Sequence, residues 1–287
     1  MTDKLSLRER LKSDEILIAP GVFEMISARV ADRHGFEALY MTGYGVVASY
    51  LGLPDAGIAS YTQMLDRVAQ IAGGTATPLI ADADTGYGAL LNIRETVRGY
   101  EAAGAAGIQI EDQEFPKKCG HTPNKRVVSI EEMTRRIQVA VESRRNQETL
   151  IIARTDARAV NGLDDALRRA EACAKAGADV LFVEAPTSEA EMEQICRSFD
   201  TPLLVNVVEG GLTPALSRER YQEIGYSIAI FPGTAFLAAT QAFENVYGAI
   251  RRDGGSQAVA DQLYPFHDMS RLMGFEDIWE FEKEHAQ

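Results

Sequence analysis

The chain has 287 residues, 46% hydrophobic and 25% charged, an ordinary globular balance with material for one large domain or two small ones. A formal net charge of -13 excludes electrostatic partnership with nucleic acid or an anionic membrane, but not with a small anion held by a local cation. Three scattered cysteines, Cys119, Cys173 and Cys196, exclude a disulfide framework or a zinc cluster. With a charged N-terminus and no apolar run of membrane-spanning length, they predict a cytoplasmic protein.

Short, nearly continuous apolar runs recur along the chain, as expected of parallel strands buried on both faces. In order they are ILIAPG (16–21), ALYMTG (38–43), PLIADAD (78–84), GIQIED (107–112), LIIARTDA (150–157), VLFVEAP (180–186), PLLVNVV (202–208) and SIAIFPG (227–233). Amphipathic stretches such as 129–145 and 163–177 lie between them, and glycines at helix stops precede the next strand. Eight such strands alternating with helices predict a (β/α)8 TIM barrel. A doubly wound open sheet is disfavoured, because no Gly-x-Gly-x-x-Gly follows the first strand. The whole chain reads as one barrel domain with residues 255–287 as a helical extension. Apolar residues of that extension (Leu272, Met273, Phe275, Ile278, Trp279, Phe281) would be buried against another subunit or on the chain's own barrel.

In such a barrel, polar residues at strand C-termini are the site candidates. The second strand leads to Tyr44 and then Asp55, the third ends in Asp82 and Asp84, and the fourth in Glu111 and Asp112. The fifth supplies Arg154, Thr155 and Asp156, the sixth Glu184, and the seventh Asn206 and Glu209. Alternation turns Asp82 and Asp84 to one side, and with Asp55 and Glu111 they make an oxygen-only nest suited to Mg2+, not zinc. Arg154 fits a substrate carboxylate or a buried ion pair with Glu184 or Asp156. Cys119 lies among Lys117, Lys118 and His121, charges that stabilise a thiolate, and Gly120 gives its loop freedom to close over an anion. Cys173 and Cys196 occupy apolar helix positions and read as core filler.

GLPDAG, DADTGYG, IEDQ, KKCGH, ARTDA and VEGGLTP occur in order at strand ends. Together they resemble the isocitrate lyase/phosphoenolpyruvate mutase superfamily over essentially the whole chain, and KKCGH resembles its carbon–carbon lyase branch, with methylisocitrate and dimethylmalate lyases. The resemblance implies Mg2+, with Mn2+ as an alternative, ligated by Asp82 with Asp55, Asp84 and Glu111 holding its waters. It implies that the backbone at Tyr44, Gly45 and Val46 grips a 2-oxy-carboxylate and that Cys119 is a general acid. Lys117, Gly120 and His121 would belong to a gating loop, and Arg154, Glu184 and Asn206 would bind the rest of the substrate. It further implies a homotetramer with C-terminal helices swapped between subunits. The substrate expected is a small 2-hydroxy or 2-oxo acid, cleaved to pyruvate or a related 2-oxoacid. Thr122 and Leu237 stand where methylisocitrate lyases tend to carry arginine, which favours a substituted malate over a tricarboxylate. Oxaloacetate hydrolysis or carboxyphosphonoenolpyruvate mutase-type chemistry is the alternative.

Overall fold

A computed structural model describes residues 6–120 and 124–286. Eight parallel strands close into a barrel in sequence order: β1 Leu17–Val22, β2 Leu39–Met41, β3 Leu79–Asp82, β4 Ala105–Glu111, β5 Leu150–Thr155, β6 Val180–Val183, β7 Leu203–Asn206 and β8 Ile228–Phe231. The expected TIM barrel is the observed fold, and each of the eight apolar runs supplies one strand. By compactness the chain divides into residues 1–236, which hold the barrel, and residues 237–287, which comprise most of the helix Thr234–Asp253 and the helices Phe266–Leu272 and Phe275–His285. No helix among the described residues is long and apolar enough to cross a membrane.

The core explains where the polar residues go. Ile80, Ile152, Phe182 and Leu204 belong to one buried cluster, with Leu17, Tyr40 and Ile230. Side chains two residues apart on a strand share a face. Asp82, Arg154, Glu184 and Asn206 each follow one of those cluster residues by two positions, so the polar mouth stands directly on the apolar filling. Leu7, from the helix Leu7–Arg10, joins the same cluster and is 3% exposed. Ser6 caps that helix by accepting a hydrogen bond from the Glu9 amide at 3.2 Å.

Strand register brings the mouth residues side by side. Asp82 pairs with Gln109 across β3 and β4, and Glu111 with Arg154 across β4 and β5.

Candidate active site

β3 ends in Asp82, 7% exposed, and the chain then turns through Asp84, whose φ of 48° lies in the left-handed region. Few residues other than glycine tolerate that region, and aspartate is among those that do. The turn lets the Asp84 amide donate to Asp82 Oδ1 at 3.0 Å, and Gln109 Nε2 donates to the same oxygen at 3.3 Å. The other carboxylate oxygen, Oδ2, faces the start of the helix Gly43–Leu51. A β-carbon at Gly43 would lie 2.7 Å from it, so glycine is the residue that fits. Behind the strand, Tyr100 OH donates to the Asp82 carbonyl at 3.4 Å and shares a 2.9 Å bond with Tyr87 OH.

Lys117 enters this nest from the loop after β4. Its Nζ lies 2.5 Å from Oδ1 of both Asp55 and Asp84, and all three side chains are at most 7% exposed. Burial pushes the Asp84 carboxyl up, to about 7, against the pull of Lys117 and with repulsion from Asp82 and Asp55. Burial alone would lower Lys117, but Asp84, Asp55, Glu111 and Asp82 outweigh it and hold the ammonium charged. Burial dominates the Asp84 shift and the surrounding acids dominate that of Lys117, and repulsion among the acids adds to the first. Glu111 is also driven well above the usual carboxylate range, chiefly by burial, and its Oε1 has no hydrogen-bond partner among the described residues.

Arg154 anchors the opposite half. Its Nε and Nη2 donate to Asp156 at 2.9 and 3.1 Å, while Nε lies 3.3 Å from Glu111 and Nη2 lies 3.5 Å from Glu184. The guanidinium also sits over the Phe182 ring, 5.1 Å from its centroid. The ion-pair reading of Arg154 is therefore realised with both Asp156 and Glu184. Asn206 donates its amide to both Glu184 oxygens, at 3.3 and 3.2 Å. Burial opposes ionisation of Asp156, yet Arg154 and Lys125 hold its carboxyl far below the usual range.

The loop carrying the half-buried Cys119 touches both halves. Lys117 reaches the acids of β3, and a β-carbon at Gly120 would strike Arg154 Nη2 and come within 3.0 Å of Glu184. Gln113 fixes the loop's start, accepting from the Lys118 amide at 2.9 Å and donating to its carbonyl at 2.8 Å. Beyond the loop, Lys125 Nζ pairs with Asp156 at 2.7 Å and donates to the Gly120 carbonyl. His121 and Thr122 lie outside the described residues.

Other candidates take different places. The Val46 amide donates to Thr42 O at 3.0 Å and the Gly45 amide to Thr42 Oγ1 at 3.4 Å, so both serve their own helix. The amides of Gly43 and Tyr44 are the ones without a partner inside that helix. Tyr44 is exposed and packs edge-on against Phe236, 5.2 Å between centroids. Asp112 turns away to accept from Thr155 Oγ1 at 2.7 Å and the Asp156 amide at 2.9 Å, with Arg169 at 3.2 Å. Glu209 accepts from Thr234 Oγ1 at 2.5 Å on the surface. Lys125, Gln109, Gln113 and Phe236 are site neighbours that strand-end reasoning passes over. The alternation in GIQIED, which sets Gln109 on the face of Glu111, is the signal that finds one of them.

Among the described residues, no three carboxylate, imidazole or thiol side chains already surround a single point as metal ligands. The nest nonetheless fits a hard divalent cation that keeps most of its waters. Its donors are all oxygen, Glu111 Oε1 is buried without a hydrogen-bond partner among the described residues, and the negative charge exceeds what Lys117 balances.

The family described as phosphoenolpyruvate phosphomutase matches residues 7–251. The chain is 43% identical over 286 residues to 2,3-dimethylmalate lyase of Eubacterium barkeri, covering 100% of this chain and 99% of that one. It is 42% identical over 283 residues to 2-methylisocitrate lyase of Aeropyrum pernix, covering 99% and 90%. Among solved structures, 2,3-dimethylmalate lyase superposes with a TM-score of 0.92 at 36% identity, covering 98% and 94% of the two chains. Oxaloacetate acetylhydrolase bound to 3,3-difluorooxalacetate also gives 0.92 at 36%, covering 97% and 95%. With its closed barrel, strand-end acids and full-length matches, the chain belongs to the phosphoenolpyruvate mutase/isocitrate lyase superfamily of enzymes.

Proposed function

We propose that this chain is a Mg2+- or Mn2+-dependent carbon–carbon lyase that cleaves a 2-hydroxydicarboxylate, a substituted malate or 2-methylisocitrate, to pyruvate or a related 2-oxoacid and a carboxylate. One observation carries the reading: a single loop places Lys117 in the acid nest and Gly120 against Arg154 and Glu184, with the Cys119 thiol between them in the chain. The relatives named as lyases of dimethylmalate and methylisocitrate support it. A phosphonopyruvate hydrolase of TM-score 0.89 and 32% identity, solved with oxalate and Mg2+, supports the cation.

Asp82 would hold the cation, with Asp55, Asp84 and Glu111 on its waters. When bound, it supplies Lewis-acid polarisation of the substrate's 2-oxygen. The Gly43 and Tyr44 amides at the helix start favour the 2-carboxylate. Arg154, set by Asp156 and Glu184, faces the charge that builds on the departing fragment, and Asn206 and Glu184 orient it. The 2-hydroxyl gives its proton to a carboxylate of the nest, the bond between carbons 2 and 3 breaks as the 2-oxo group forms, and the Cys119 thiol delivers a proton to the electron pair left on the carbon next to the second carboxylate. Lys117 balances the acids while the loop excludes water. Exposed Phe266, Trp279 and Phe281 in residues 237–287 support a homotetramer with exchanged C-terminal helices, measurable by light scattering.

The test is 2-oxoacid release from alkylated malates, methylisocitrate, isocitrate and oxaloacetate, with and without Mg2+. Release of 2-oxoacid from one hydroxyacid, lost with EDTA and in Cys119→Ser, is the expected result. Oxaloacetate belongs on the panel because the acetylhydrolase superposes as well as the lyase does. Turnover of oxaloacetate alone would replace the lyase reading with the hydrolase, and silence across the panel would sink both.

A further inference from the structure

Gln109 is a carboxamide with 0% exposure inside a barrel otherwise filled largely by apolar side chains, and Tyr40, 2% exposed, is beside it. Buried amides and hydroxyls are costly unless bonded, and these two are bonded in one direction. Gln109 Nε2 donates to Asp82 Oδ1 at 3.3 Å, because a carboxylate accepts only from the nitrogen end of the amide. That turns Gln109 Oε1 toward Tyr40, whose hydroxyl must then donate, at 2.9 Å. The chain runs from β2 through β4 to β3 and ends on one oxygen of one carboxylate. The Asp84 amide donates to that same oxygen, so both donors lie on Oδ1 while Oδ2 faces Gly43 at the mouth.

We infer that Tyr40 and Gln109 are positioning residues that lock the Asp82 rotamer and direct Oδ2 to a divalent cation. The inference rests on the proposed metal dependence. Tyr40 bonds Gln109 and Gln109 bonds Asp82, so their effect passes through Asp82. Outer hydrogen bonds of this type orient metal ligands, and their loss typically weakens binding about 10–100-fold.

The experiment titrates the intact protein with Mn2+ alone, followed by electron paramagnetic resonance, and records melting temperature in EDTA separately. Gln109→Met keeps length and removes both hydrogen bonds. Its Mn2+ affinity should fall about tenfold. Tyr40→Phe removes only the distal donor and should cost about threefold, within the ordinary worth of one hydrogen bond. The double variant should bind no more weakly than Gln109→Met, since the Tyr40 hydroxyl then has nothing to act through. Wild-type affinity in either folded variant, or additive losses in the double, would overturn the assignment. If Gln109→Met fails to fold, Tyr40→Phe decides alone, threefold weakening supporting the assignment and unchanged affinity sinking it. A wild-type protein that binds no Mn2+ would instead remove the metal reading, and this inference with it.

Discussion

Lys117 Nζ sits 2.5 Å from Asp55 Oδ1 and 2.5 Å from Asp84 Oδ1, so one loop ammonium bridges acids from two different βα connections. Removing it leaves buried, unbalanced carboxylates, and breaking such a pair costs about 3–5 kcal/mol. Lys117→Met should therefore melt well below the wild type in EDTA. Added Mg2+ should restore much of the difference, because a divalent cation supplies the missing charge. Equal melting temperatures for both proteins in EDTA would show that the bridge contributes nothing.

Asp156 joins the two buried cations Arg154 and Lys125. Asp156→Asn keeps the shape and removes the charge, leaving both cations facing a neutral amide. A loss of about 3 kcal/mol in urea unfolding is expected. Activity should fall through kcat more than KM, because Arg154 loses its fixed orientation.

How much of this was legible in the sequence follows from strand periodicity. Asp82, Arg154, Glu184 and Asn206 could be placed at the mouth because each ends an apolar run. Gln109 escaped because a single amide in GIQIED looks like an interruption, and its bond to Tyr40 depends on a strand 69 residues earlier. Lys125 follows no apolar run, so strand-end reasoning has nothing to say of it, yet its pairing with Asp156 leaves it 8% exposed. Asp112 shows the converse: it ends β4 beside Glu111, but its neighbouring position turns it outward to Arg169. Period two says which face a side chain takes, not which partner waits there.

Two glycines stand where side chains would collide. Gly43→Ala would push a methyl against Asp82 Oδ2, and Gly120→Ala would push one against Arg154 and Glu184. Mn2+ titration should separate them: the first variant should bind the metal more weakly, by about tenfold. The second should keep metal affinity and lose turnover.

Burial raises the thiols of Cys173 and Cys196 to about 12. A raised thiol pKa favours the protonated, unreactive form, so at pH 8 only about one in ten thousand of each is thiolate. Iodoacetamide followed by peptide mass mapping should mark Cys119 and spare the other two. Reaction at Cys173 at a comparable rate would contradict this.

Leu7→Ala tests the filling at the barrel's other end. Leu7 is 3% exposed within the interior cluster, and truncation there should cost about 2–4 kcal/mol with little change in KM.

The two-residue step from Ile152 to Arg154, repeated from Phe182 to Glu184, makes each strand a ruler of about 7 Å between filling and chemistry. Deleting Ile151 from β5 would shift the rest of the strand by one position, turning Ile152 outward and carrying Arg154 off the mouth in the same stroke. Frame-preserving insertions and deletions within the strands are thus barred twice over by a single lesion. Point substitutions at the outer step leave the inner one untouched, so such a barrel can exchange one reaction for another by replacement at fixed length.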